Sequence, residues 1–155
     1  MKPRLDAGKA HGPVMQAMLT LETKLRDSGL ENRLFELVKI RASQINGCAY
    51  CIHMHTRDAR AAGETEERIY LLDAWHEAPC YTPRERAALA WTEALTRIAD
   101  THAPDADYAG IAEHFSEKDQ VTLTALIGMI NSWNRLAIGF RMVPPVAAPK
   151  AQTAA

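Results

Sequence analysis

An excess of charge of one sign is the first thing this sequence lacks. Its 155 residues carry 18 Lys and Arg against 19 Asp and Glu, a formal net charge of -1, and neither sign is gathered into a block. Without a basic field, nucleic acid and anionic lipid are poor partners. Cysteine is scarce as well. Three cysteines form no even disulfide framework, and a chain of 17.2 kDa does not need one to hold a core. Long apolar runs are missing too. Met1 to Val14 carries Asp6, Lys9 and Pro13 instead of a signal-like apolar stretch, and Val121 to Phe140 is interrupted by Asn131, Asn134 and Arg135. The expectation is a cytoplasmic protein with no membrane span, in which paired cysteines are reactive or metal-binding rather than structural. No segment alternates apolar and polar residues for the length of a half-buried strand, and no internal repeat is present. Apolar residues recur at spacings of three and four, so the chain reads as all-α.

With 47% hydrophobic and 24% charged residues, the composition is that of a globular chain with room for one core. A single domain is expected over residues 1–144, with its core at about 13–142 and a flexible tail over 145–155. The first helix is expected at about Pro13 to Arg26, with Val14, Met15, Met18, Leu19, Leu21 and Leu25 on its apolar side and Ser28-Gly29 ending it. A second covers about Leu30 to Ser43, and a third about Cys48 to Ala62, stopped by Gly63. Thr65-Glu66-Glu67 opens a fourth that runs through Trp75 to Pro79. Thr82-Pro83-Arg84-Glu85 is a capping box with proline at the first helical position, leading to Ile98. After a loop at His102 to Pro104, Ser116 starts a long final helix that Pro144-Pro145 halts. That helix is apolar around much of its circumference, which places it at the centre of the bundle or against another subunit.

The chemistry is concentrated in Cys48-Ala49-Tyr50-Cys51 and His55, directly after an Asn46-Gly47 break. Residues three or four apart share a helix face, so Cys48 neighbours Cys51, and Cys51 neighbours His55 one turn on. Such a thiol pair can open and close as a disulfide with a base beside one sulfur. At the start of a helix, free backbone N–H groups and the macrodipole favour the thiolate.

Leu37 to Gly63, LVKIRASQINGCAYCIHMHTRDARAAG, closely resembles the core of the AhpD-like alkylhydroperoxidases within the carboxymuconolactone decarboxylase superfamily. The family pattern E-x11-C-x2-C-x3-H is filled without a gap by Glu36, Cys48, Cys51 and His55. Glu85 to Thr96 and Ile130 to Arg141 are similar to further family segments, so the likeness covers most of Leu30 to Arg141. It implies an AhpD-like helical bundle with the CxxC at the N-terminal end of a helix, a trimer or hexamer, and a thiol peroxidase that cycles through a disulfide. By that resemblance Cys51 is the peroxidatic cysteine, Cys48 the resolving one, His55 the base and Glu36 the residue that orients it. A peroxide is the substrate, and an external dithiol, a lipoyl protein or other thiol carrier, is the reductant. The residues require no cofactor. An αα-hairpin at Asn46-Gly47 makes the glutamate intelligible, since Glu36 and His55 then lie ~15 Å and ~12 Å of helix from the bend and can meet across it. One departure stands out: Tyr50 occupies a position where some members carry a histidine, which leaves a relay from Glu36 to Cys48 without its carrier unless His53 substitutes.

Other readings compete. Cys48, Cys51 and His55 are three zinc ligands in type, with Cys80, His53 or His76 as a fourth, although no second cysteine pair completes the usual pattern. Glu36 alone reads as a solvated residue paired with Lys39 or Lys24. Cys80 reads as a packing residue, His76, His102 and His114 as surface residues, and His11 as part of a mobile terminus. Trp75, Trp91 and Trp133 read as core or interface anchors, with Trp133 a candidate to border the site across a subunit boundary. Two further functions stay open: a redox sensor or thiol-disulfide partner without turnover, and lactone decarboxylation, for which a disulfide-forming pair has no evident use.

Overall fold

The computed structural model describes residues 2–146; the expected flexible tail, 145–155, falls almost wholly outside the described residues. The helices are α1 (Ala7–Ala10), α2 (Gly12–Arg26), α3 (Asn32–Asn46), α4 (Ala49–Ala61), α5 (Glu66–Tyr70), α6 (Pro83–Thr96), α7 (Ile98–Thr101), α8 (Asp105–His114) and α9 (Glu117–Gly139). A 3-10 turn, Leu72–Ala74, follows α5. Among the described residues there is no strand, as the three-and-four periodicity requires, and no helix is long and apolar enough to cross a membrane.

Helix α3 is the centre of the bundle, packed by α4, α6 and α9. Every residue from Leu34 to Ser43 is buried, which leaves this helix no solvent face over most of its length. Phe35 and Val38 join Leu25, Trp91, Leu123 and Leu126 in one apolar cluster. Leu37 and Ile40 join Leu72, Trp75, Tyr81 and Leu89 in a second, against which Cys80 packs as expected.

The α3–α4 hairpin bends at Gly47, whose φ of +68° lies in the left-handed region. The Gly47 N–H donates to Gln44 O at 3.1 Å and the Cys48 N–H to Ser43 O at 2.9 Å, the paired bonds of a Schellman turn. A Cβ at Gly47 would meet open space, so glycine is required there by φ and not by crowding. A buried amide cluster pins this bend to α9. Asn46 Nδ2 donates to Asn131 Oδ1 at 2.9 Å and Asn134 Oδ1 at 2.8 Å, and Asn134 Nδ2 donates to Ser43 Oγ at 3.0 Å.

Five expectations need correction. Helix α8 is not anticipated by the apolar periodicity, because it buries only Ile111 and so has no apolar stripe. The segment after Thr65 does not run on to Trp75; it breaks at Leu71 into the 3-10 turn. Helix α9 ends at Gly139, well before Pro144-Pro145, in a second Schellman-type turn with Arg141 at φ +56° and the Met142 N–H on Ala137 O. The chain's start helps to close that end: Arg4 N donates to Phe140 O at 2.9 Å and Arg4 Nη1 to Gly139 O at 3.1 Å. His11 is therefore not in a loose terminus but caps α2, its Nδ1 accepting from Val14 N. Finally, Val14, Leu19 and Leu21 do not face the core; of α2 only Leu25 is buried. Helix α9, by contrast, is central along most of its length, with Val121 and Ile138 exposed. The Thr82–Glu85 capping box forms as read.

Asn134→Ala removes the partner of both Asn46 and Ser43 at a buried junction, and is expected to lower the unfolding free energy by about 2–3 kcal/mol in urea titration.

Candidate active site

Cys48 is not inside the first turn of α4 but is its N-cap, and its Sγ accepts a hydrogen bond from the Cys51 N–H at 3.3 Å. Sulfur here takes the place of the hydroxyl or carboxylate that usually caps a helix. Cys48 and Cys51 form a disulfide with Cα atoms 5.4 Å apart. Both are buried, at 1% and 2% exposure, yet they are not equivalent: Cys51 lines a cavity of about 640 Å³ and Cys48 does not. His55 lies one turn after Cys51 on the same face and also reaches the cavity.

Across the hairpin, Glu36 and His55 meet. His55 Nδ1 is 2.9 Å from Glu36 Oε2, and both side chains are buried. Glu36 is not a solvated residue paired with Lys39 or Lys24. Its second oxygen, Oε1, accepts from Arg26 Nη2 at 3.0 Å. Lys39 instead pairs with Glu22 Oε1, and Glu22 Oε2 accepts from Trp133 Nε1 at 3.3 Å.

Burial alone would raise the Glu36 carboxyl, but the hydrogen bonds from His55 and Arg26 and the charge of Lys39 outweigh it and hold the group below the usual range. Burial pulls Lys39 down, against the opposing pull of Glu22 and Glu36. An ionised Glu36 offers only acceptors, so in a neutral His55 ring the proton belongs on Nδ1, facing Glu36, and Nε2 is the nitrogen with the free lone pair.

The cavity wall is mostly apolar, with Met15, Leu19, Met54, Leu136, Phe140 and Met142 among its residues, and the N-terminal segment from Pro3 to Gly8 closes one side. Trp133 lines it from the same chain. Tyr50 stands on the wall next to Cys51, and among the described residues no hydrogen bond links His53 to Glu36 or Cys48.

The zinc sets do not assemble. Cys48 and Cys51 are bonded to each other, Cys80 packs in the second core cluster, and His76 stacks on Trp75 at 3.7 Å beside Glu93. Glu36, His55 and Asp58 bring one ligand atom each within 4.8 Å. Both oxygens of Glu36 and the Nδ1 of His55 are already engaged in hydrogen bonds, to Arg26 and to each other.

Residues 12–94 match the carboxymuconolactone decarboxylase family. The chain belongs to that family. Among its relatives, the uncharacterised protein YdfG of Bacillus subtilis is 48% identical over 124 residues, 80% of this chain and 84% of that one. A crystal structure of an Agrobacterium tumefaciens protein of unknown function, provisionally assigned as the antioxidant defence protein AhpD, is 45% identical. It covers 94% of this chain and all of its own length, with a TM-score of 0.92. The debrominase Bmp8 is similar at 18% identity and a TM-score of 0.74, over 84% of this chain and 70% of that one, a likeness of fold alone. This member of the carboxymuconolactone decarboxylase family is thus all-helical and AhpD-like.

Sequence spacing located Glu36, Cys48, Cys51 and His55 but not Arg26, Glu22 or the site of Trp133. The available signal was the matched spacing of Glu22 and Arg26 on one helix with Glu36 and Lys39 on the next. A carboxyl that titrates lower in the folded state stabilises the fold above its ordinary value and loses that contribution as pH falls through the folded value. Glu36→Gln is therefore expected to be least stable relative to the parent above about pH 4.5, and to converge on it in more acid solution. Urea midpoints across pH measure this; a gap independent of pH would show that Glu36 is not held ionised.

Proposed function

We propose that the protein is a thiol-dependent peroxidase of antioxidant defence that reduces organic hydroperoxides or hydrogen peroxide through a Cys48–Cys51 dithiol/disulfide cycle. The observation that carries this reading is the asymmetry of the pair: Cys51 is on the cavity wall, one turn before an imidazole oriented by a buried carboxylate. His55 Nε2 takes the Cys51 proton. The thiolate attacks the terminal peroxide oxygen, the O–O bond breaks, and the alkoxide leaves as alcohol with the proton held on His55. Cys51 is now a sulfenic acid. Cys48 Sγ displaces its hydroxyl as water and forms the disulfide, so the peroxide is reduced by two electrons that the two thiols supply.

An external dithiol then restores both thiols. With Cys48 and Cys51 buried, the reductant reaches them most directly by the cavity, which suits a slender dithiol arm such as that of a lipoyl protein, or another small thiol carrier. The exposed apolar residues Val14 and Leu21 on α2, with Val121 and Ile138 on α9, support a homo-oligomer; a trimer or hexamer is what the AhpD-like resemblance implies, and a cytoplasmic location belongs to the same proposal. Lactone decarboxylation, the reaction that names the family, has no evident need for the disulfide-forming pair Cys48–Cys51.

Stopped-flow oxidation of the reduced protein by cumene hydroperoxide is expected to consume two thiols per chain. Cys48→Ser should stop at a trappable sulfenic acid and Cys51→Ser should not turn over. Normal turnover by Cys51→Ser would remove the assignment, and oxidation no faster than that of free cysteine would favour a sensor or client-binding role. Because the wall is apolar, kcat/KM for cumene hydroperoxide should exceed that for hydrogen peroxide by about tenfold or more. Equal values would show that the wall does not contact the substrate.

A further inference from the structure

Helices α2 and α3 face each other through two opposed ion pairs beside the redox pair. Glu22 and Arg26 are one turn apart on α2, and Glu36 and Lys39 one turn apart on α3. Lys39 Nζ meets Glu22 Oε1, while Arg26 Nη2 meets Glu36 Oε1 at 3.0 Å. Both cations also lie over the ring of fully buried Phe35, each 4.7 Å from its centroid. Glu36 thus has a cation on each side and the imidazole in front.

We infer that Arg26 is a positioning residue for the thiol chemistry: by occupying Glu36 Oε1 it keeps the carboxylate ionised and its Oε2 turned to His55, and so holds His55 in the tautomer that can take the Cys51 proton. The inference rests on the peroxidase reading only for its purpose; the geometry it describes governs Cys51 whatever the oxidant. Without Arg26, burial of Glu36 is less opposed, and a carboxylic acid O–H can donate to Nδ1. That contact drives the proton to Nε2, where it blocks the base.

The groups facing Glu36 are few. Helix α2 brings Arg26 and Glu22, α3 itself brings Lys39, and α4 brings His55 and the exposed Asp58. Helix α9 brings Trp133, which has no charge. Lys39 is already matched by Glu22, and Asp58 acts through solvent in the direction opposite to Arg26. Arg26 is therefore the cation whose removal shifts the balance most directly.

The test uses the full chain with Cys48→Ser and Cys80→Ser, so that Cys51 is the one thiol, and reads its alkylation by iodoacetamide against pH, together with the 15N shifts of His55. No peroxide is involved, so a failure of the peroxidase reading would leave the result intact. Arg26→Met is expected to raise the alkylation midpoint by about one pH unit, a roughly tenfold slower reaction below it, and to move His55 towards the Nε2–H tautomer. Arg26→Lys is expected to recover most of the shift and Arg26→Gln less. The Arg26 side chain is 42% exposed and α2 buries only Leu25, so these variants should fold, which circular dichroism checks. Midpoints and tautomers in both Arg26→Met and Arg26→Gln that coincide with the parent would overturn the inference. So would an Arg26→Lys protein no closer to the parent than Arg26→Met, which would trace the effect to packing on Phe35.

Discussion

The hydrogen bond between His55 Nδ1 and Glu36 Oε2 joins two helices at residues 19 apart in sequence, in a place where neither side chain meets solvent. It exists only because the chain reverses at one left-handed glycine and because that reversal is pinned from below. A small error in the angle between α3 and α4 would separate the two groups, and a buried carboxylate without its partner is costly. The Asn46, Asn131 and Asn134 cluster fixes the angle with directional bonds that apolar packing cannot supply. The family-like segment of α9 is thus part of the site, and its Ala137 packs with Cys48 and Cys51.

Helix α3 is the unusual element. A helix buried on all sides ought to be apolar on all sides, yet this one carries Glu36, Lys39 and Arg41 within its buried stretch. Each is answered from a different helix or turn. Glu36 has Arg26 and His55, Lys39 has Glu22, and Arg41 has Glu93 at 2.9 Å together with Asp73. Glu93 in turn accepts from Trp75 Nε1 at 2.7 Å, and the surrounding donors hold its carboxyl low against burial. Such pairs add little net stability after desolvation, but they penalise every packing in which a partner is displaced. Specific register around α3, more than stability, is the physical return for burying them.

This arrangement explains what could be read from the sequence. The αα-hairpin, the helical spacing of Cys48, Cys51 and His55, and the reach of Glu36 are local, and spacing encodes local geometry well. The Thr82–Glu85 box and the Gly47 turn were legible for the same reason. Arg26 was not, because whether a charged residue near a helix end points to solvent or to a carboxylate on the next helix depends on the turn between them. Helix α8 lacks an amphipathic stripe, and the early end of α9 depends on Arg4 donating to carbonyls 135 and 136 residues away. Neither leaves a periodic trace. The apolar residues of α2 misled for a related reason: apolar spacing marks a face of the helix but does not place that face in the core of the same chain.

In the proposed peroxidase cycle the two cysteines draw their activation from different sources, and this orders their chemistry. Cys48 Sγ lies at the start of α4 and accepts a backbone N–H, so a thiolate there is stabilised by the helix terminus in any protonation state of the imidazole. Cys51 is on the cavity wall, and in the proposed mechanism it gives its proton to His55, which Glu36 holds. A sulfur stabilised by backbone donors is a good leaving group in the mixed disulfide and a thiolate ready to resolve a sulfenic acid, but it has no route to a bulky peroxide. A sulfur exposed to the cavity meets the peroxide first and needs a base only at that moment. In the proposed cycle, attack at Cys51 and resolution by Cys48 match where each sulfur sits on one turn of helix, with access to the cavity favouring Cys51 and the carboxylate–imidazole pair across the hairpin supplying its base.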